Sequence, residues 1–427
     1  MQLKNYRQTL DLLLIFGLFF LSNILAFGYT FWLVPPLVMI ETLLWLVLTI
    51  LCVWILNKHK IMPEFIERFK RIWIILPFLI FSGLSILWSI YWEISLYRWL
   101  MLVCTIIAGG YIGLRYDMKE IVRLLSVFGI YILFLSSILV FLVPRIGIMN
   151  YYIIQGAWKG VYWHKNHMGL LATFINILFL IRIIDAWQSK SRSVLLWGLL
   201  YVFSLLFIYQ TDSVASYLTT MFLHGVILFI FALLKFREKI RKVHYLIFII
   251  VVLFVSLILY NNLDQFFGVF NRNTTLTGRI PMWTYLFDTY LDQRPLAGYG
   301  FNAFWYIRSH RVAMMHAAGY PDQIVVADNG FIDILMNIGY VGLVIFLLFY
   351  FGAWWRSIKY ATKAKDINGF FPVILMAYTL LANISWSLIF ENEGFFMLIM
   401  VAVLFSISGN TDHNKSGPRE ASSMDLS

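Results

Sequence analysis

Side chains that could bind a phosphate or move a proton occur in two polar segments of a very apolar sequence. Arg279 lies in Leu-Thr-Gly-Arg-Ile-Pro-Met-Trp (276–283), and Asp328 lies in Ala-Asp-Asn-Gly-Phe (327–331). A guanidinium group can hold two phosphate oxygens at once, which an ammonium group cannot do. A carboxylate can accept a proton from a hydroxyl group, but Asp before Asn-Gly also suits the N-terminal cap of a following helix. Both interpretations of Asp328 stay open.

Three further basic residues could contact a phosphate or a glycan. Lys165 and Arg98 lie at the ends of apolar runs, where long basic side chains also extend to the membrane interface without a catalytic role. Arg294 precedes a proline, which favours extended backbone, and it either anchors its loop or supplies another cation. These three residues are predicted to bind substrate, together with Asn329.

Histidines offer a second possible base and a possible metal pair. His316 could accept a proton in place of Asp328, and it is also counted among the residues that could bind substrate. His164 and His167 lie three residues apart, but no further ligands cluster near them in the sequence, so they do not indicate a metal site. The sequence contains neither Asp-x-Asp nor His-Glu-x-x-His.

The elements that must position these residues are hydrophobic. Of the 427 residues, 61% are hydrophobic and only 13% are charged, whereas about 25% are charged in soluble domains. Because a helix of about 20 apolar residues crosses a bilayer, the pattern predicts an all-α integral membrane protein with about 12 transmembrane helices. The predicted spans are residues 9–28, 33–56, 72–90, 97–114, 121–143, 166–184, 194–210, 213–234, 244–262, 331–355, 370–389 and 393–409.

The distribution of charge predicts an orientation in the membrane. With the N-terminus in the cytoplasm, 24 of the 33 lysines and arginines fall in cytoplasmic segments. This split agrees with the positive-inside rule and explains the net charge of +11 without a nucleic-acid partner. The N- and C-termini are both predicted to be cytoplasmic.

Two segments on the outer side, 144–165 and 263–330, are longer than a simple connection, and long structured loops are usually functional. The second is predicted to be partly helical, with an amphipathic helix that ends at about residue 291. The predicted regions are transmembrane helices 1–9 in residues 1–262, an extracytoplasmic catalytic loop in 263–330, transmembrane helices 10–12 in 331–409 and a disordered cytoplasmic tail in 410–427.

A set of motifs occurs in order between about residues 85 and 345. The long loop contains Thr-Gly-Arg followed by Trp, then Arg-Pro-Leu-Ala-Gly-Tyr-Gly, then Asp-Asn-Gly-Phe-Ile-Asp followed by Gly-x-x-Gly. Earlier segments are Leu-Trp-Ser-Ile (87–90), Ser-Leu-Tyr-Arg (95–98) and Gly-Val-Tyr-Trp-His-Lys-Asn-His-Met-Gly (160–169). No single motif is specific, but together they resemble the O-antigen ligase/polymerase superfamily, and within it the exopolysaccharide-production polymerases.

The resemblance implies a membrane glycosyltransferase with a GT-C-like architecture in the cytoplasmic (inner) membrane of a bacterium. A glycan would pass from an undecaprenyl-pyrophosphate carrier to a sugar hydroxyl of another lipid-linked unit, without a nucleotide sugar, metal or cofactor. Arg279 would bind the pyrophosphate, and Asp328, where the family commonly has His, would act as the base. The expected partners are the lipid-linked oligosaccharide, the glycan acceptor and membrane lipid, with a chain-length regulator and a flippase as further candidates.

Two other functions stay open. A ligase would attach finished polymer to lipid A core or another acceptor, but ligase-type relatives often carry Ser-Arg where this sequence has Ser213 followed by valine. A second cation would then have to come from Lys165, Arg98 or Arg294. A transporter or flippase would also suit twelve spans, but it would need ionisable groups inside the membrane. Only Glu41 is interpreted as an intramembrane carboxylate, so the polymerase is preferred.

Overall fold

The structure is a computed structural model that describes residues 2–23, 35–151, 154–235, 279–319, 326–389 and 394–409. The predicted span 244–262, the side chain of Glu41 and the predicted tail lie outside this description. Up to residue 235, the helices are α1 (Gln2–Asn23), α2 (Pro35–Lys58), α3 (Met62–Arg71), α4 (Leu76–Leu84), α5 (Trp92–Arg115), α6 (Met118–Leu142), α7 (Pro144–Gly147), α8 (Lys165–Gln188), α9 (Ser193–Gln210) and α10 (Val214–Lys235).

The second half of the described chain is also helical. From residue 279 onward, the helices are α11 (Arg279–Leu286), α12 (Arg308–Ala318), α13 (Gly330–Ala361), α14 (Phe371–Ser385) and α15 (Phe395–Gly409). Shorter helical turns cover Trp73–Ile75, Ser85–Trp88, Phe287–Leu291, Phe304–Tyr306 and Ile367–Phe370. Within the described residues, the sheet consists of two antiparallel strands, β1 (Ile148–Tyr151) and β2 (Ile154–Trp158), which pair Ile148 with Trp158 and Tyr151 with Ile154.

Among the described residues, seven helices are long and apolar enough to cross a membrane. The count rises to eight if Thr42–Lys58 and Met62–Arg71, which are bent by 111° at a short break, form one broken span. Helix or helical turn occupies every predicted span that falls within the described residues. The prediction of a mostly helical, multi-pass membrane protein is therefore confirmed. The number of twelve spans and the GT-C-like loop stay predictions.

The helices differ in how deeply they lie in the bundle. The apolar stretch of α8 is 83% buried, whereas those of α9 and α10 are each 22% buried. On α9, the exposed side chains Leu195, Leu199 and Val202 lie on one helical face and are 63–70% exposed. A water-soluble protein rarely leaves such a continuous apolar face uncovered, so this face indicates contact with lipid. Because α8 is much more deeply buried than α9 and α10, it holds the residues at its ends in fixed positions.

Basic residues from the predicted cytoplasmic segments meet at one end of the bundle. Asp185, near the end of α8, accepts hydrogen bonds from Lys119 at 3.0 Å, Arg182 at 3.3 Å and the Asn368 side chain at 2.9 Å. Burying one carboxylate beside several donors offsets the cost of removing its charge from water. The structure therefore brings these segments together as the alternating topology requires, while the orientation relative to the cell stays a prediction.

A break in α13 anchors the long loop to the bundle. Ile338 and Gly339 have non-helical backbone angles, and Gly339 has φ +66°. The backbone groups released by the break pair with the loop, because Tyr340 N donates to Pro295 O at 2.8 Å and Gly300 N donates to Asn337 O at 2.8 Å. The tight turn at Gly298, with φ +64°, leaves no room for a β-carbon, which would lie 2.6 Å from the Asn337 backbone.

The aromatic residues of the loop form its own small core. Tyr299, Phe304 and Trp305 are buried together with Met282 and Leu286 of α11. Their burial stabilises the loop and removes these ring faces from contact with a passing glycan. The loop is therefore a packed layer on the bundle that can hold charged side chains at defined positions.

Candidate active site

Arg279 and Asp328 lie in direct contact. Arg279 Nε donates to Asp328 Oδ2 at 3.1 Å, and the two side chains are 16% and 23% exposed, so a ligand can reach them. Among the described residues, the two Nη atoms of Arg279 donate no hydrogen bond, so they are available for an anion. Burial raises the pKa of Asp328 above its usual value, although the nearby positive charge of Arg279 opposes this shift.

The segment before α13 is held so that the Asp328 carboxylate faces Arg279. Trp283 Nε1 donates to Ala327 O at 2.7 Å and ties α11 to this segment. Asp328 itself has φ +52°, in the left-handed region that few non-glycine residues adopt. Backbone strain of this kind is concentrated at functional sites, where the surrounding structure enforces it.

Asn329, and not Asp328, caps the N-terminus of α13. Its Oδ1 accepts hydrogen bonds from Phe331 N at 3.0 Å and Ile332 N at 3.2 Å, and its Nδ2 donates to Ile384 O at 3.1 Å. The alternative in which Asp328 is the cap is therefore wrong, and its carboxylate stays free to contact Arg279. The structure assigns the Asn329 side chain a structural role, and its predicted contact with substrate remains untested.

A buried carboxylate that sequence reasoning missed connects three segments behind this pair. Asp333 in the first turn of α13 is 6% exposed. Its Oδ1 accepts from Trp305 Nε1 at 2.6 Å and from Ala327 N at 3.1 Å, and its Oδ2 accepts from the Ser387 hydroxyl. The interpretation of Glu41 as the lone carboxylate within the predicted spans was wrong, because Asp11 lies inside span 9–28 and Asp333 inside span 331–355. The position of Asp333 in an apolar run was the available signal.

We expect Asp333→Asn to slow the reaction by about tenfold or more, because an amide cannot accept hydrogen bonds at both of its heavy atoms. A buried donor left without a partner costs about 1–3 kcal/mol, and part of this cost would appear as movement of the segment that bears Asp328. The measurement is the initial rate of glycan transfer, compared with the melting temperature and the pH profile.

Ser387→Ala is the matched control, because it removes one donor and leaves the other two hydrogen bonds to Asp333 in place. Its rate should stay within a few-fold of the wild type. If Asp333→Asn lowered only the melting temperature and left the rate and its pH profile unchanged, Asp333 would not position the site.

The segment 160–169 contributes His164 and Lys165 at the start of α8. The His164 ring lies almost parallel to that of Trp386, with a centroid distance of 5.3 Å and an angle of 19°. Lys165 is buried, and its Nζ donates to Asp212 O at 2.6 Å and to Asp212 Oδ2 at 2.7 Å. The ammonium group therefore lies at the turn before Ser213, next to the position where the resemblance implies an arginine in ligases.

Contacts and charge connect this segment to the ion pair. Trp386, which stacks on His164, precedes Ser387, and Ser387 donates to Asp333. Burial lowers the pKa of His164 to about 3, and the positive charges of Lys165 and Arg279 add to this shift. His164 therefore remains neutral near the cation that is predicted to bind pyrophosphate.

The other predicted substrate-binding residues have different surroundings. Arg98 is buried, and its guanidinium donates to the Tyr306 hydroxyl at 2.5 Å. Arg294 donates to Trp88 O at 3.3 Å and lies 5.0 Å from the Tyr299 ring centroid, which corresponds to the loop-anchor alternative. His316 is exposed in the last turn of α12. Their contacts with substrate stay predictions.

These observations describe a membrane protein with a charged site held by a packed loop. A multi-pass bundle of apolar helices carries, at one end, a packed loop with an accessible guanidinium and a carboxylate of raised pKa.

Comparison with known proteins shows which superfamily this chain is similar to. Residues 199–347 match the family described as O-antigen ligase. The exopolysaccharide production protein ExoQ of Rhizobium meliloti (strain 1021) is 25% identical over 303 residues, which cover 67% of this chain and 65% of that protein. The predicted resemblance to the O-antigen ligase/polymerase superfamily is confirmed by both matches. The chain spans about 65% of the length of this curated relative.

The matched family segment includes part of the site. Arg279, Asp328 and Asp333 lie within residues 199–347, whereas Lys165 and Trp386 lie outside them. The family comparison therefore covers the ion pair and the carboxylate behind it. The packing of α8 against the end of α14 was accessible only through the structure.

Proposed function

We propose that the protein is a polysaccharide polymerase that uses a glycan linked to undecaprenyl pyrophosphate as the donor. A sugar hydroxyl of another lipid-linked unit attacks the anomeric carbon of the donor glycan. The bond between that carbon and the phosphate oxygen breaks, and the pyrophosphate leaves with the electron pair. The hydroxyl proton passes to a base of the protein. The reaction forms one glycosidic bond and needs no metal, cofactor or nucleotide sugar.

The contact of 3.1 Å between Arg279 and Asp328 is the observation that carries this proposal. The reaction needs a proton acceptor and a fixed cation for the leaving group within one substrate length of each other. Arg279 can keep its Nε bond to Asp328 while its Nη atoms bind the phosphate oxygens, because guanidinium donors form a rigid fork. Asp328 then lies beside the reacting centre as the base.

The raised pKa of Asp328 suits this role. A carboxylate with its ordinary pKa is a weak base, and partial burial makes the carboxylate a better proton acceptor. The positive charge of Arg279 opposes this rise in pKa and favours the ionised form, which is the form that can accept a proton. Lys165 is the candidate for a second cation at the turn before Ser213, provided that its bond to Asp212 opens or is shared when the donor binds.

The name of the curated relative favours polymer formation, because ExoQ is described as an exopolysaccharide production protein. The family description favours the second candidate, a ligase that transfers finished polymer to lipid A core or another acceptor. Both reactions would use the same donor chemistry and differ in the acceptor. The further parts of the proposal are a bacterial inner membrane, cytoplasmic termini and cooperation with a flippase and a chain-length regulator.

A clean deletion of the gene distinguishes the two reactions. If the protein is a polymerase, the strain should accumulate single lipid-linked repeat units and make no long chains, as seen in a ladder of extracted glycans. If long chains form and only their attachment fails, the ligase candidate is correct. The purified protein should extend lipid-linked repeats in excess EDTA, and loss of extension that a divalent metal restores would contradict metal independence.

A further inference from the structure

His164 has one ring nitrogen whose partner is known. Nδ1 accepts a hydrogen bond from Asn166 N at 3.2 Å, so the imidazole caps the N-terminus of α8. A neutral imidazole has one nitrogen with a lone pair and one nitrogen with a proton. Because Nδ1 acts as the acceptor, the proton must be on Nε2. The cap therefore determines the tautomer.

The surroundings keep the ring neutral and fix its direction. The charged groups Lys159, Lys165 and Arg279 and the titratable His167 all act on His164 in the direction that lowers its pKa, after the larger effect of burial. Stacking on the buried Trp386 ring, 5.3 Å away, prevents rotation out of this position. Nδ1 is held by the cap, and one face of the ring lies on the Trp386 indole. The ring therefore stays in this orientation, with Nδ1 as the acceptor and Nε2 as the donor.

The remaining nitrogen is available to a ligand. His164 is half-buried, and among the described residues its Nε2 has no hydrogen-bond partner. The charge of Arg279 acts on the ring, and the contacts of Trp386, Ser387 and Asp333 lead from it to the segment bearing Asp328. These contacts and the influence of Arg279 place an uncharged donor on the α8 side in the neighbourhood of the ion pair.

We propose that His164 Nε2–H donates a hydrogen bond to a phosphate oxygen of the ligand that Arg279 binds, and that His164 is a fixed neutral donor and not a base. This inference rests on the proposed function, because it assumes a pyrophosphate donor. It adds a binding residue from the segment 160–169 to the pair from the long loop. It also leaves proton acceptance to a group other than His164.

Two amide variants separate the two nitrogens of His164. In His164→Asn, the amide oxygen takes the place of Nδ1 and keeps the cap, because Asn is a favoured N-cap residue. In His164→Gln, the longer amide carries an N–H to the place of Nε2 but is a poor cap. The probe is undecaprenyl pyrophosphate alone, bound to the purified full chain in detergent, with the melting temperature measured for each protein.

We expect His164→Asn to melt close to the wild type and to bind undecaprenyl pyrophosphate about tenfold or more weakly, since a hydrogen bond to a charged group is lost. His164→Gln should melt lower and bind within a few-fold of the wild type. His59→Asn, at the predicted cytoplasmic end of α2, is the control and should bind normally.

The opposite pattern would overturn the inference. If His164→Asn bound normally, or if affinity followed the melting temperature in both variants, the ring would be only a cap. Absence of binding to the wild type would also overturn it. Failure of the proposed function looks different, because the wild type would then bind undecaprenyl pyrophosphate but would not extend lipid-linked repeats.

Discussion

Asp328→Asn is expected to remove chain extension while the protein remains folded. An amide of the same shape can still accept the hydrogen bond from Arg279 Nε, so the contact of 3.1 Å has a neutral replacement. An amide cannot take a proton from the attacking hydroxyl, and a positioned general base contributes about 10²- to 10⁴-fold to a rate. The rate of extension of purified lipid-linked repeats should fall by this factor, and complemented deletion cells should show no long chains.

The control for this prediction is Asp288→Asn, which changes an exposed carboxylate of the same loop and should leave the rate unchanged. Asp328→His is a second informative variant, because the superfamily resemblance implies a His at this position and His tolerates a positive φ better than most residues. It should restore part of the rate. Normal chain length in Asp328→Asn would exclude Asp328 as the base.

The pH dependence of the wild type follows from the same group. A base must be deprotonated, so the rate should fall as the pH decreases through the pKa of Asp328. Burial raises that pKa above the ordinary value of 3.8, so the acidic limb of the rate profile lies at a higher pH than for a solvent-exposed Asp.

Arg279→Ala is expected to have the second large effect. The variant removes the fixed cation that is proposed to stabilise the leaving pyrophosphate, and loss of one such group costs about 10²- to 10³-fold in rate. It also leaves Asp328 without the positive charge that lowers its pKa. The remaining activity should therefore have an acidic limb at a higher pH than the wild type, which can be measured on the same purified substrate.

Arg279→Lys tests the geometry of the cation. Lysine keeps the charge but provides a compact ammonium in place of the guanidinium fork, so it should recover the pH profile better than the rate. The control is Arg308→Ala, at an exposed position at the start of α12. If Arg279→Ala left both the rate and the acidic limb unchanged, Arg279 would contribute neither to the leaving group nor to the state of Asp328.

Much of the architecture could be predicted because its signals are local. Apolar runs of about 20 residues mark helices that can cross a bilayer. The predicted spans therefore agree with α5, α6, α8, α9 and α10 to within a few residues at each end. Gly298 and Gly339 occur where the backbone needs a positive φ, but the sequence alone could not indicate that their segments pair with each other.

The sequence by itself determined the class of protein, the positions of most helices and the two residues, Arg279 and Asp328, whose chemistry suits the proposed reaction. Only the tertiary structure decided that Asn329 caps α13, that Asp333 connects three segments and that Lys165 bonds to Asp212. These outcomes depend on distances between groups far apart in the chain, such as the 49 residues that separate Arg279 from Asp328. Hydropathy and residue spacing describe neighbours along the chain, whereas hydrogen bonds between segments are selected by packing in three dimensions.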